Sequence, residues 1–545
     1  MPVALVLLML DSSRARAQRP PDISGGPLSP EQASYDVSFY DLALRIDPAD
    51  STIAGSLSIV ARVVQPLDRL VLDLDTVFTV RSVTALNLDG SPGARMPVER
   101  RGGQLWIETP TLQPGERIAA RIDYRGRPRT GPGGGGGFIW SRTRQGAPWI
   151  AVSCELFGAD LWWPVKDHPS DEPDSMALHF SVPAALTAVS NGRSRGVTAN
   201  GDGTRTHHWF VSTPINNYAV TVNVAPYAAL TTAQASVAGD TIPVTFWALP
   251  DDSAKARAAL PEFLDHLRFY ERLLGPYPFR HDKYGVAEAP FLGMEHQSLI
   301  AYGAGFRDDA MAQIDWGFDA LHEHELAHEW FGNMLTPPDF SDIWLHEAFA
   351  QYMQPLYAEA RLGRAKAREL MRIMGSRIQN HAPIAARGPR TIDEAYSGDI
   401  YYKGAWVLHS LRYLMGDARF RTLLHQWTDP EPPVPVINDA CRCRFATTDD
   451  FVRLASRIAG RDLNWFFDVY VRQAEAPALV VTRGGARTDL SWKVPGALPF
   501  PMPVEVRVGA RLRRIEMPGG RATIDVPEAT PVEADPNGSV LGAGR

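Results

Sequence analysis

Residues 322–347 read HEHELAHEWFGNMLTPPDFSDIWLHE, and positions 324–328 of this stretch form an HExxH motif. Residues four apart lie on the same face of a helix, so His324 and His328 can direct their imidazoles at one point. Two histidines in this arrangement are typical of a zinc site. Glu325, next to the first of them, is placed to take a proton from metal-bound water. The stretch therefore predicts a helical metal centre around which the rest of the chain is organised.

A third metal ligand is expected nearby, because a catalytic zinc ion takes three protein ligands and keeps one position open. Glu347 is the candidate, and eighteen residues separate it from His328. The Pro-Pro pair at 337–338 should end the first helix, and Asp339 or Ser341 can cap a second one. This interpretation places Glu347 about two turns into the second helix.

A five-residue motif can also arise by chance on an amphipathic helix whose histidines are half-buried or solvated. The segment WLHEAFA at 344–350 follows at the distance where a third ligand is needed, and it favours a metal site over chance. His322 and His346 are spare histidines. We expect both to lie beside the site or at the surface, and not among the ligands.

The HExxH motif, the eighteen-residue gap and the W-L-x-E-x-F-A context of Glu347 resemble the M1 family of zinc aminopeptidases, the gluzincins with a thermolysin-like catalytic domain. The motifs that carry this resemblance span about residues 150–475. It implies hydrolysis by metal-activated water, one zinc ion per chain, and peptide substrates with a free N-terminus. His346 and Ala348 replace the asparagine and glycine that usually flank the family's glutamate.

The resemblance also implies which residues bind substrate. Glu155 lies in SCELFGADLWWP, where the family has a glutamine or glutamate that holds the substrate amine. Gly293, Met294 and Glu295 match the family's G-x-M-E motif, an edge strand whose backbone pairs with substrate and whose glutamate binds the α-amine. Leu292 replaces the first glycine of the bacterial form of that motif.

A tyrosine in the segment DIYYKGAWVL at 399–408 is the last implied site residue. The family carries Y-x-K-G-A here, and its tyrosine stabilises the oxyanion of the transition state. Counting back from Lys403 assigns that role to Tyr401 and not to Tyr402. Together with Glu325 as the general base, Tyr401 completes the predicted catalytic pair.

Three other functions remain open from the sequence. A zinc endopeptidase would use the same chemistry, although two carboxylates placed for an amine disfavour it. An epoxide-hydrolysing relative with two activities is neither supported nor excluded. A catalytically inactive binding protein is disfavoured, because the four residues His324, Glu325, His328 and Glu347 are intact.

The composition is that of an ordinary enzyme, with 45% hydrophobic and 21% charged residues among 545. The formal net charge is −7, so the chain has no excess of basic residues, and nucleic acid is not an expected partner. No apolar run reaches the roughly 18 residues that would span a membrane, so we expect no transmembrane segment in the mature chain. The sequence does not give the oligomeric state.

The pattern of elements predicts a multidomain α+β fold. Residues 27–235 read as short alternating strands and predict an all-β domain. Residues 236–475 predict a thermolysin-like, mostly helical catalytic domain, and 476–545 a small C-terminal β domain. Residues 1–26 combine a flexible leader with a signal peptide.

The signal peptide is predicted from an apolar run at 3–10 and an A-x-A sequence at 15–17, although the usual positive start is missing. We therefore expect export to the periplasm or the medium, with a cytoplasmic location as the alternative. The chain has three cysteines, too few for a disulfide framework. Cys441 and Cys443 are two residues apart, a spacing that rarely closes a bridge.

Overall fold

The computed structural model describes residues 24–87, 89–131, 136–431 and 441–543. The predicted signal sequence lies outside the described residues. The described chain forms an N-terminal all-β region, a mostly helical region and two small C-terminal sheets. This arrangement confirms the predicted fold class.

The N-terminal region consists of strands, and several of them bury alternate side chains, as expected where one face of a sheet packs on a core. Its strands are β1 Tyr35–Asp47, β2 Thr52–Val63, β3 Leu67–Asp73, β4 Thr79–Leu86, β5 Pro92–Arg95, β6 Val98–Arg101, β7 Gln104–Leu112, β8 Arg117–Gly126, β9 Gly137–Arg142, β10 Pro148–Ser153, β11 Ser175–Pro183, β12 Thr187–Ser190, β13 Arg193–Ala199, β14 Thr204–Val211 and β15 Val222–Ala225. Strand β11 buries every second residue along its whole length. Its buried face contributes to the core of this region.

Three sheets form from these strands. The largest has eight strands in the order β13-β14-β11-β1-β2-β8-β4-β5, a second has the order β12-β15-β10-β9, and a third the order β3-β7-β6. Strands β1 and β11 are parallel, and their other neighbours are antiparallel. The loop between β10 and β11 carries Glu155, so the second sheet points this residue toward the helical region.

The mostly helical region begins with a five-stranded sheet. Its strands are β16 Ala228–Ala235, β17 Thr241–Ala248, β18 Tyr284–Glu288, β19 Gly293–Met294 and β20 Ile300–Tyr302, in the order β16-β17-β18-β20-β19. Strands β16 and β17 pair with each other and lie on either side of the boundary predicted between residues 235 and 236. Strand β19 lies at the edge of the sheet, as the resemblance implied.

Nine helices and a two-stranded ribbon complete the described part of this region. They are α1 Ser253–Leu274, α2 Ala320–Ala327, α3 Trp344–Leu362, α4 Arg364–Gly375, α5 Ile392–Ala395, α6 Gly398–Met415, α7 Asp417–Thr428, α8 Thr448–Ala459 and α9 Asn464–Tyr470, with β21 Leu335–Thr336 beside β22 Arg444–Phe445. Helices α3 and α6 pack closely at Gly404, where an added Cβ would lie 2.4 Å from the Cβ of Ala348. Only glycine permits this approach, which brings α6 against the helix that carries Glu347.

The start of α3 differs from the prediction. A 3₁₀ turn, Phe340–Asp342, follows the two prolines, and the side chain of Asp339 caps it by accepting from the Ser341 amide at 2.8 Å. Helix α3 therefore begins only at Trp344, and Glu347 lies in its first turn. The expectation that Glu347 lies about two turns into the helix was wrong, because Asp339 caps the short turn and not the helix.

The C-terminal β domain packs directly on the helical region. Its strands are β23 Ala478–Gly484, β24 Arg487–Lys493, β25 Val504–Val508, β26 Arg511–Ile515, β27 Arg521–Asp525 and β28 Val532–Ala534, in two three-stranded sheets. Phe500 and Val504 belong to the same buried core as the helices. The hydroxyl of Tyr470, at the end of α9, donates to the Leu541 carbonyl at 2.8 Å. The small domain therefore shares its hydrophobic core with the catalytic region.

Lys283 joins the N-terminal and helical regions. Its ammonium donates to the carbonyls of Ser190 at 2.8 Å and Gly192 at 2.6 Å. The Gly192 amide in turn donates to Ser298 Oγ at 2.9 Å. These buried contacts connect the end of β12 to the segment that follows β19, close to the predicted amine-binding glutamate.

Cys441 and Cys443 form a disulfide, so the expectation that this spacing leaves them unbridged was wrong. The residue between them, Arg442, has a φ of 58°. This left-handed conformation turns the backbone so that both sulfurs face each other. Cys154 is buried and has no disulfide partner.

Candidate active site

The three predicted metal ligands, His324, His328 and Glu347, come together in the structure, and we call these three side chains the metal cluster. His324 Nε2 and His328 Nε2 are 3.1 Å apart, and Glu347 Oε2 lies 3.4 Å from the first and 3.5 Å from the second. Ligands placed about 2.0–2.1 Å from a zinc ion in tetrahedral geometry are separated by roughly 3.3–3.4 Å. The observed triangle therefore has the size that one zinc ion needs.

The chemistry of the donor set also fits zinc. Glu347 Oε2 is buried and has no hydrogen-bond partner among the described residues, so it is free to bind a cation. His328 Nδ1 lies 3.0 Å from the Phe331 carbonyl, which fixes the hydrogen on Nδ1 and leaves the Nε2 lone pair for the metal. Two imidazoles and one carboxylate are the ligands of a catalytic zinc site, and the fourth position remains for water or substrate.

Helix α2 places the two histidines because its start is fixed. The side chain of Asp319 accepts a hydrogen bond from the His322 amide at 3.0 Å and so caps the first turn. His324 then lies within the helix, and His328, four residues later, is its C-terminal cap. Their spacing of about one turn puts both rings on the face that meets the first turn of α3.

Glu325 lies in the same pocket. Oxygen atoms of Glu325 and Glu295 and a nitrogen of His328 all lie within 4.8 Å of one another. Burial, with the nearby charge of Glu295, raises the pKa of Glu325 well above its usual range. A carboxylate with raised basicity beside a metal cluster is suited to accept a proton from water.

Gly293 has a steric reason to be glycine. A Cβ built at this position would lie 2.5 Å from Glu325 Oε1. Strand β19 therefore passes directly over the Glu325 carboxylate, which a side chain at 293 would displace. The buried side chain of Met294 points the other way, where its sulfur accepts from Ser153 Oγ at 3.6 Å. The backbone of β19 is left facing the site.

The two predicted amine-binding glutamates are both buried, with Glu155 6% and Glu295 4% exposed. Burial, with the neighbouring charge of Glu295, raises the pKa of Glu155 well above its usual range, and burial also raises the pKa of Glu295. Glu155 Oε1 has no hydrogen-bond partner within the described chain. Both carboxylates therefore lie in the pocket without a lysine or arginine that pairs with them in the described residues.

Tyr218 was not predicted as a site residue. It comes from the N-terminal region, and its hydroxyl donates to Glu295 Oε1 at 3.2 Å and lies 3.5 Å from His346 Nδ1. The side-chain amide of Asn333 donates to the Glu295 backbone carbonyl at 2.8 Å. Glu295 is thus held from two sides. Neither partner stands in a sequence pattern that reports on position 295, so no signal in the chain alone could have identified them.

Tyr401, and not Tyr402, faces the metal cluster. The Tyr401 hydroxyl donates to Glu347 Oε1 at 2.6 Å, and its ring stacks over His324 with the ring centroids 6.0 Å apart. The Tyr402 hydroxyl instead accepts from Arg377 at 3.1 Å, on a different face of α6. The register counted from the Lys-Gly-Ala sequence thus agrees with the geometry. Tyr396, which the sequence did not indicate, also reaches the Tyr401 hydroxyl.

The spare histidines lie outside the ligand triangle. His322 is fully buried, stacks on Phe263 with the ring centroids 3.6 Å apart, and contacts His266 at 2.9 Å. His346 is buried beside Tyr218. The expectation that neither is a ligand fits this placement, but both are core residues and not surface ones.

The comparison with protein families matches two parts of the chain. The Peptidase M1 N-terminal domain model matches residues 37–219, and the Peptidase family M1 domain model matches residues 263–470. The chain belongs to the M1 peptidase family. The second match contains the metal cluster, Glu325 and Tyr401, and the first contains Glu155 and Tyr218. The two M1 models together therefore include the residues that line the pocket from both regions.

Curated M1 relatives are similar over part of their length. Endoplasmic reticulum aminopeptidase 1 of Homo sapiens is 25% identical over 294 residues, which are 51% of this chain and 31% of that protein. Aminopeptidase B of Rattus norvegicus is 25% identical over 417 residues, or 70% of this chain and 60% of that protein. The chain therefore spans about a third of the length of the first relatives that it matches.

A solved structure matches nearly from end to end. The M1 zinc metallopeptidase from Deinococcus radiodurans has a TM-score of 0.64 and 25% identity, and the match covers 81% of this chain and 94% of that one. A mutant form of that protein bound to a Tyr-Ser-Ala substrate has a TM-score of 0.66 at 24% identity. Among the described residues, no helix is long and apolar enough to cross a membrane.

Zinc binding gives the first testable prediction. Purified protein should contain about one zinc ion per chain by elemental analysis, and the double variant His324→Ala, His328→Ala should contain almost none. The reason is that two of the three donors of the cluster are then missing. His346→Asn is the matched control, because this buried histidine adjoins the cluster without belonging to it and should leave the zinc content unchanged. Stoichiometric zinc in the double variant would refute the assignment.

Proposed function

We propose that this chain is a zinc-dependent aminopeptidase that removes residues one at a time from the free N-terminus of peptides. The observation that carries the proposal is the pair of buried carboxylates, Glu295 and Glu155, beside the metal cluster. Like charges at close range repel, and within the described chain no lysine or arginine pairs with them. A substrate ammonium relieves this repulsion and gains charge-assisted hydrogen bonds.

Each residue of the pocket has a separate role in the proposed reaction. His324, His328 and Glu347 would hold a zinc ion, which would supply a Lewis acid that lowers the pKa of water. Glu325 takes the proton from the attacking water and passes it to the leaving amine. The Tyr401 hydroxyl donates to the oxyanion of the tetrahedral intermediate.

Strand β19 is the proposed support for the substrate backbone. Among the described strands it pairs only with β20, so its second edge is available. An extended peptide can add to such an edge through main-chain hydrogen bonds. Gly293 and Met294 would pair with the first residues of the substrate while Glu295, next in the chain, holds the ammonium. This arrangement brings the first peptide bond, and no later one, to the metal cluster.

The test compares one short peptide with its N-acetylated form. The free peptide should be hydrolysed with a kcat/KM larger by roughly 10–10² fold or more, because each hydrogen bond to a charged group contributes about 1.5–3 kcal/mol. Glu295→Gln and Glu155→Gln should each reduce this preference, with the larger loss at Glu295, since its strand also positions the backbone. Mass spectrometry of the products shows whether single residues leave from the N-terminus.

The peptide assay, together with an assay on an epoxide, separates the three alternative functions. Equal rates for the free and acetylated peptides, with internal cleavage products, would mean a zinc endopeptidase. Activity on an epoxide substrate would point to the epoxide-hydrolysing relative. A protein that binds zinc yet cleaves neither peptide would be a catalytically inactive binding protein. The geometry favours the exopeptidase, because the carboxylates of Glu155 and Glu295 both face the pocket.

We also propose that the protein is exported to the periplasm or the medium. The apolar run at 3–10 and the A-x-A sequence at 15–17 support this location. The Cys441–Cys443 disulfide supports it as well, because disulfides persist in oxidising compartments. Fractionation of cells that express the full chain, followed by N-terminal sequencing, tests the proposal.

A further inference from the structure

A second tyrosine hydroxyl lies directly against Tyr401. Tyr396 immediately follows α5, and its hydroxyl is hydrogen-bonded to that of Tyr401. The two rings meet edge to face, with centroids 5.8 Å apart and an interplanar angle of 77°. The Tyr401 hydroxyl is at the same time bonded to Glu347 Oε1 at 2.6 Å. Three groups therefore form a short chain that runs from Tyr396 through Tyr401 to the metal cluster.

The direction of this chain follows from counting hydrogens. A phenol has one hydrogen to donate and can also accept. The Glu347 carboxylate accepts only, so Tyr401 must donate its one hydrogen to Glu347. The Tyr401 oxygen is then the acceptor in its other bond, and Tyr396 is the donor. Tyr396 points its hydrogen at the oxygen of the residue that stabilises the transition state.

We propose that Tyr396 is a positioning residue for Tyr401 in the peptidase reaction, an inference that rests on the proposed function. Its hydrogen bond occupies the Tyr401 oxygen as an acceptor, and so it keeps the Tyr401 hydrogen aimed at the metal cluster. A hydroxyl that accepts a hydrogen bond also becomes a stronger donor. When the oxyanion forms, Tyr401 transfers its donation from Glu347 to the substrate oxygen while the bond from Tyr396 holds its oxygen in place.

The position of Tyr396 is fixed by contacts that do not involve Tyr401. The Tyr396 amide donates to the Ile392 carbonyl at 2.8 Å, and a capping box between Thr391 and Glu394 fixes the start of α5. The chain at Ser24 bonds to the same loop, since the Ile392 amide donates to the Ser24 carbonyl at 3.1 Å. Tyr396 is therefore presented by a braced loop, and its hydroxyl can serve as a fixed reference for Tyr401.

The hydroxyl of Tyr396, and not its ring alone, has a polar role in the pocket. Packing against Tyr401 would need only the ring, which phenylalanine also provides. Burial, with the nearby charge of Glu155, raises the pKa of Tyr396 well above its usual range, so the group remains a neutral donor. Tyr396 thus lies between the amine-binding side of the pocket and the oxyanion side.

The experiment is a double-mutant cycle of Tyr396→Phe and Tyr401→Phe, measured as kcat and KM on an aminoacyl p-nitroanilide with a free amine. In the wild-type background, Tyr396→Phe should lower kcat roughly three- to tenfold, the effect of one neutral hydrogen bond, with KM unchanged. In the Tyr401→Phe background it should have almost no effect, because the group it positions is absent. Zinc content and Tm should remain at the wild-type values.

Tyr402→Phe is the matched control. This adjacent tyrosine contacts Arg377 on a different face of α6 and should keep wild-type kcat. The proposal is overturned if Tyr396→Phe leaves kcat unchanged, or if it lowers kcat by the same factor in both backgrounds. It is also overturned if the loss accompanies a fall in zinc content or Tm, which indicates a structural role. A wild-type enzyme that does not cleave the substrate refutes the proposed function instead.

Discussion

Replacing Glu325 with glutamine is expected to lower kcat by roughly 10²–10⁴ fold, the range for loss of a positioned general base. Glutamine keeps the size of the side chain but cannot take a proton from the attacking water. Glu325 lies outside the triangle of His324, His328 and Glu347, so the zinc content should not change. Steady-state kcat and KM on an aminoacyl p-nitroanilide, with zinc measured on the same preparation, check this result.

Glu323→Gln is the control for Glu325→Gln. Glu323 is buried on the same helix, where it accepts a hydrogen bond from the Tyr270 hydroxyl, away from the metal cluster. The glutamine carbonyl can accept the same bond, so activity should stay near that of the wild type. If Glu325→Gln retained wild-type kcat with a full complement of zinc, Glu325 would not be the base. Equal losses in both variants would mean that the substitutions disturb α2 itself.

Tyr401→Phe should lower kcat by roughly 10²–10³ fold, as removal of one oxyanion donor does in other enzymes. KM should change little, because the hydroxyl acts on charge that develops only in the transition state. The ring that stacks on His324 is retained in phenylalanine, and the zinc content should therefore be preserved. Kinetics on the same p-nitroanilide give kcat and KM separately.

Tyr402→Phe tests the register of the assignment. Its hydroxyl contacts Arg377 and not the cluster, so kcat should be unchanged. The opposite pattern, a large loss in Tyr402→Phe and none in Tyr401→Phe, would mean that the tyrosines are interchanged. A loss of zinc in Tyr401→Phe would show that its bond to Glu347 maintains the metal site, and the oxyanion role would then need separate evidence.

The metal centre could be predicted because its geometry is local. Helical periodicity alone brings His324 and His328 to one face, and Glu325 is their immediate neighbour. Glu347 could be named from its distance along the chain, but its position within α3 could not. Asp339 can cap either a helix or a 3₁₀ turn, and only packing decides between them.

Tyr218 and Tyr396 could not have been predicted because their roles depend on contacts distant in sequence. Tyr218 lies 77 residues from Glu295, its hydrogen-bond partner, in a short 3₁₀ turn of the N-terminal region. Tyr396 is only five residues from Tyr401, but its useful direction depends on the brace that fixes α5. Residue type gives no signal in such cases, since a tyrosine is also a common core residue.

Strands such as β1 and β11 could be predicted from the sequence because one face of each is buried. The disulfide between Cys441 and Cys443 could not, because it depends on the left-handed backbone of Arg442. Arginine has no preference for that conformation, so the sequence offers no hint of it. Periodic features could thus be predicted, and features that depend on one unusual dihedral angle could not.

Lys283 holds together the two regions that form the proposed substrate pocket. Glu155 belongs to the N-terminal region and the zinc ligands to the helical region, and Lys283 bonds the two regions together. The proposed substrate pocket therefore depends on how these two regions dock, and not on one loop.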